Sequence, residues 1–158
     1  MKTLFLTLAI SLLLPLAAQS ADAVEVKLNK DEIKFQKTLE NCTFVGHWCL
    51  VKNGELTPVK DEKYTITSAK KMKDDQWVIF SRMQFGKTDV TIPIPVYLKW
   101  AGGTPVITLD KLFIPGVGTY SARVLVHDST YAGTWSGGDH GGLLNGLIKK
   151  SGKGKEEK

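Results

Sequence analysis

From Asp89 to Trp100 the chain alternates without a break between two sets of residues. Val90, Ile92, Ile94, Val96, Leu98 and Trp100 form one set; Asp89, Thr91, Pro93, Pro95, Tyr97 and Lys99 form the other. A period of two puts each set on one face of a β-strand, so the apolar set must be core and the chain must build a sheet with one dry side. The two prolines narrow the choice further. N–H groups of residues two apart point toward the same neighbour, so Pro93 and Pro95 remove two successive donors from one flank only. The sequence therefore predicts an edge, a bulge or a gap near residues 93 to 95, with normal pairing on the other flank. In a barrel such a gap would admit a small molecule; in a sandwich the same prolines would protect an exposed edge.

The rest of the chain is punctuated in the same style. Thr43 to Lys52 ends at Asn53-Gly54, Tyr64 to Met72 at Lys73-Asp74-Asp75, and Gln76 to Phe85 at Gly86-Lys87. Thr88 to Trp100, Pro105 to Phe113, Thr119 to His127 and a final pair of runs from Tyr131 to Ile148 complete eight candidate strands. Before them, Asn29 to Glu40 offers cap residues followed by Ile33, Phe35 and Leu39 among charges, the pattern of a short amphipathic helix. No long helix separates the strands. The expected fold is all-β, a small eight-stranded antiparallel barrel preceded by a short helix, with a β-sandwich as the alternative.

Residues 1 to 23 have the form of an export signal, with Lys2, an apolar run from Leu4 to Leu14 and small residues from Ala17 to Ala23. Removing it leaves about 135 residues, enough for one domain and too few for two. Residues 24 to 148 are assigned to that domain and 149 to 158 to a basic, disordered tail. The tail holds five of the lysines against two glutamates, so the formal charge of +5 falls to about +2 on the folded part. With only Arg82 and Arg123 as arginines, the composition argues against a nucleic-acid partner. After the signal no apolar run approaches the ~20 residues of a spanning helix. The expected location is periplasmic or extracellular, without a membrane span.

The stretch Tyr131 to Ile148, YAGTWSGGDHGGLLNGLI, combines patterning with reactive residues. Tyr131, Gly133, Trp135 and Gly137 share one face, and the Gly-x-Trp spacing recurs at Gly46, His47 and Trp48. If the sheet closes, the two sites can pack together at one barrel end. Asp139 and His140 lie between two glycine pairs; His140 has the chemistry of an acid or base, with Asp139 as its orienting or cation-binding partner, while the competing reading is a tight turn. No nucleophile elbow, His-Glu-x-x-His or phosphate-loop pattern accompanies them. Cys42 and Cys49, an even count in an exported chain, suggest a disulfide, with two free or metal-binding thiols as the alternative. Straight strand would hold them ~23 Å apart, so the bond requires a bend, with Gly46 the natural place. Cys42, His47 and Cys49 match no familiar zinc spacing, and neither a metal nor a cofactor is expected.

Two resemblances follow from these residues. YTI near 64, DVTIPIPVYLKWAGGTPVITL from 89, IPGVGTYSARVLV from 114 and YAGTWSGGDHGG from 131 resemble a family of small exported proteins of planctomycete-type bacteria, which implies the compartment and a single domain. Gly46, His47 and Trp48, following the helix, resemble the first strand of the lipocalin and calycin barrels, although the Thr-Asp-Tyr type motif and the helix after the barrel have no counterpart here. That likeness implies a carrier or sensor of a small, mainly apolar molecule; the candidate binding residues, read from the sequence itself, are the aromatics Trp48, Trp77, Trp100, Trp135 and Tyr131. The alternatives are a structural or interaction module of the cell envelope, and an enzyme using His140 and Asp139. An open cavity favours the first; a solid interior favours the second.

Overall fold

The computed structural model describes residues 26–151; the expected export signal and residues 152–158 of the expected tail lie outside them. Helix α1 spans Lys30–Leu39 and is followed by β1 (Cys42–Lys52), β2 (Glu55–Leu56), β3 (Lys60–Lys73), β4 (Gln76–Phe85), β5 (Thr88–Ala101), β6 (Thr104–Ile114), β7 (Gly118–His127), β8 (Thr130–Gly137) and β9 (His140–Lys150). From β3 onward each strand pairs antiparallel with the next, β3 also pairs with β1, and β9 returns to β1. Nine residue pairs, Cys42↔Lys150 through Leu50↔Gly142, close the sheet. The expected eight-stranded barrel is therefore present, and this closing ladder removes the free edges that a sandwich would keep. The two-residue β2 is an addition, a hairpin on the end of β1 formed because Asn53 and Gly54 both take positive φ, as a tight two-residue turn requires.

One end of the barrel is plugged by α1. Asn29 and Glu32 form a reciprocal cap, each backbone N–H donating to the other's side chain at 2.9 Å. The helix buries Phe35 and Leu39, and Phe35 meets the Trp77 ring edge-on at 5.3 Å. Glu32 pairs with Lys71 at 2.6 Å, and both side chains are largely covered. At the helix C-terminus the Lys150 ammonium donates to the carbonyls of Lys37 and Glu40, where the helix dipole favours a cation. Lys149 and Lys150, placed with the tail on sequence, are thus the last two residues of β9.

A single row of the sheet ties the closing seam together. Tyr131 on β8 sits opposite Gly146 on β9, Gly146 opposite Gly46 on β1, and Gly46 opposite Glu62 on β3. With no side chain on either glycine, the Tyr131 phenol lies over both and donates to Glu62 at 2.8 Å. A Cβ on Gly146 would stand 2.6 Å from the Gly46 Cα and 2.8 Å from the Tyr131 ring. These glycines are therefore there for close approach.

On β5 the expected asymmetry appears. Ten residue pairs join it to β4, including Phe80↔Pro93 and Val78↔Pro95, whereas pairing with β6 is confined to Tyr97–Ala101. Leu98 donates toward β4, to the Asp75 carbonyl. Alternation then directs the nitrogens of Pro93 and Pro95 at β6, which explains why the ladder stops on that flank. Between the first part of β5 and residues Leu109 to Ile114 of β6 the wall has a gap.

The expected disulfide is absent: Cys42 and Cys49 are both free and buried. The strand between them keeps its register with β9 through Gly46, so the required bend does not form. Seven residues of strand also turn the two thiols to opposite faces. Burial pushes the Cys42 thiol up to about 11, leaving it a protonated donor to the Leu39 carbonyl.

Gly146→Ala should lower the stability of the barrel by ~1–3 kcal/mol through overpacking at the seam. Urea unfolding followed by tryptophan fluorescence measures this; an unchanged midpoint would show that the seam has slack.

Candidate functional site

The inward faces of the strands do not meet in the middle. Above the helix-plugged end they enclose a cavity of about 320 Å³. Ile66, Ile79, Ile94, Val96 and Ile107 supply aliphatic wall, and Phe44, Trp48, Tyr64, Phe85, Tyr131 and Trp135 supply aromatic wall. Ile94 and Val96 on one side, and Leu109, Leu112 and Ile114 on the other, flank the gap between β5 and β6, so the break in the ladder opens beside the cavity.

The cavity has few polar groups, and they converge. Glu62, only 3% exposed, accepts from Tyr64 at one oxygen and from Tyr131 at the other, both at 2.8 Å. Burial pushes the Glu62 carboxyl above its ordinary range, while the two phenolic donors and the charge of His47 partly offset that rise. The Tyr64 and Tyr131 hydroxyls are also driven upward, by burial first and by the neighbouring Glu62 second, so both remain donors at physiological pH. Ser81 joins the wall from β4. Two residues further along β1 from Gly46, on the same face, Trp48 meets Trp135 edge-on at 5.5 Å. The indole N–H groups of both are buried and find no acceptor among the described residues. Both are exceptions to the usual pairing of buried polar groups.

The residues proposed from sequence separate into three places. Trp48, Trp135 and Tyr131 line the cavity. Trp77 is packed under the helix, and Trp100 faces a small cleft there with Asp31, Lys34 and Phe35. Asp139 and His140 lie at the β8 to β9 turn, where Gly138 takes a positive φ. Their side chains touch at 3.1 Å, which holds the Asp139 carboxyl below its usual range, but Asp139 is fully exposed and His140 about half exposed. His140 packs its ring against Trp135 at the rim of the cavity. Among the described residues neither has a nucleophile hydrogen-bonded to it, the arrangement that general-base activation requires. The two Gly-x-Trp sites do pack together, across β9, as closure of the sheet implied.

Sequence reading missed Glu62, Tyr64 and Ser81. Glu62 and Tyr64 lie two apart, in phase with Ile66, so extending the third strand's alternation back by two positions would have placed the carboxyl inside. Metal ligation has no support among the described residues, where no three His, Cys, Asp or Glu side chains gather. Compared with protein-family models, curated proteins and solved structures, the chain matches none.

Because the folded carboxyl of Glu62 is raised, its favourable contribution is complete below the unfolded glutamate value of roughly pH 4 and is lost as pH rises through the folded value. The wild type should therefore lose stability relative to Glu62→Gln as pH increases from acid to neutral. Urea midpoints of the two proteins across that range test this, and parallel curves would remove Glu62 from the pH dependence.

Proposed function

We propose that this is an exported binding protein that carries or senses a small, mainly apolar molecule held inside its barrel. The observation that supports the reading is the cavity: about 320 Å³, walled by aliphatic and aromatic side chains, with a small convergent set of hydrogen-bonding groups. Binding sites for small molecules have this composition and occupy ~300–1,000 Å³. The gap beside Pro93 and Pro95 gives such a molecule a route through the wall that does not require a complete ladder to break. Placement outside the cytoplasm rests on the character of residues 1 to 23, and likeness to lipocalin barrels on the helix, the Gly-x-Trp strand and the closed eight-stranded sheet.

A neutral naphthyl ketone dye such as prodan tests the reading. It should bind saturably at one site with a blue-shifted emission, and Leu109→Trp, which adds bulk beside the gap, should weaken binding by roughly ten-fold or more. Absence of saturable binding to the folded protein would contradict the proposal.

A further inference from the structure

The cavity carries a carboxyl group and no cation. Among its lining residues Glu62 is the one acidic side chain, and there is no lysine or arginine; the basic residue closest to that role, His140, stands at the rim against Trp135. Burying a carboxyl is costly unless its oxygens are satisfied and its charge is met. Here the protein satisfies it in part: Tyr64 and Tyr131 each donate one hydrogen bond. A carboxylate has about four acceptor positions, so two remain open. His47, across the strand on the outer face, is engaged with Asp61 at 3.3 Å and lies outside the cavity lining. Lys60 is held over the Trp48 ring at 5.0 Å and is exposed.

The surrounding walls favour a positive charge as well. Phe44 stacks on Tyr131 at 4.7 Å, and Tyr64, Phe85 and Trp48 complete an aromatic surround of the kind that attracts ammonium groups to ring faces. An anionic head group would meet Glu62 as a like charge in a poorly solvated space. We infer that the ligand is an amphipathic amine, its apolar body lodged in the cavity and its ammonium nitrogen hydrogen-bonded to Glu62 between the two tyrosines. The inference rests on the carrier reading above and adds the head group to it. The charge balances in either order of events: an ammonium can meet an ionised Glu62, or a free amine can take the proton from the neutral carboxyl, and both routes end in the same ion pair.

Three eight-carbon molecules that differ only in head group provide the test: octylamine, octanol and octanoate, each competing with prodan on the full chain at neutral pH. Octylamine should displace the dye at roughly ten-fold lower concentration than either of the others, the margin a charge-assisted hydrogen bond provides, and Glu62→Gln should erase that advantage. If prodan binds but octanol or octanoate competes as well as octylamine, or if the advantage survives Glu62→Gln, the amine inference is overturned while the carrier reading stands. If prodan does not bind at all, both fail. The head-group comparison on the unaltered protein decides the matter by itself should Glu62→Gln not fold.

Discussion

The hydrogen bond from Tyr131 to Glu62, made over the bare backbones of Gly146 and Gly46, is the contact on which the rest of the barrel depends. A barrel exists only if its first and last strands pair, and that pairing brings together residues about a hundred positions apart, the most entropically demanding contact in the fold. The glycines let β9 and β1 approach closely enough for a phenol to cross both strands, and the carboxyl gives it something to reach. Four strands are thereby linked by one side chain. Closure in turn creates the enclosed interior, and the same carboxyl is the polar centre of that interior.

Closure also divides the barrel into a sealed end and an accessible one. Phe35, Leu39 and Trp77 close the first, locked by the Glu32 to Lys71 ion pair and by Lys150 capping the helix. Trp48, Trp135 and His140 mark the second. The four tryptophans are thus divided in role by position along their strands: Trp77 and Trp100 support the plug, while Trp48 and Trp135 face the space a ligand would fill. The gap in the wall runs toward the second end, since two prolines leave β5 fully bonded to β4 and bonded to β6 only beside the plug.

Much of this was legible in the sequence, and the reasons for success and failure are physical. Alternation from Asp89 to Trp100 fixed a strand and its dry face because a period of two is a local property. Pro93 and Pro95 revealed a one-sided flank because a missing N–H is also local. The cysteines misled because an even count says nothing of geometry, and strand β1 stayed straight where a bend was needed. Lys149 and Lys150 resembled a solvated tail because their partners, a strand and a helix end, lie more than a hundred residues away. Glu62 escaped notice for the same reason: in the run Lys60 to Lys63 it is one charge among four, and only Tyr131 from the far side of the seam distinguishes it.

The central claim is that Tyr131 and Glu62 act as one unit at the closing seam, and a double-mutant cycle measures that directly. Tyr131→Phe, Glu62→Gln and the pair are compared with the wild type by urea unfolding at neutral pH. The account requires a coupling of about 1 kcal/mol or more, within the range found for residues sharing a buried hydrogen bond. Effects that add to within roughly 0.3 kcal/mol would show that the two side chains do not act together, and would contradict it.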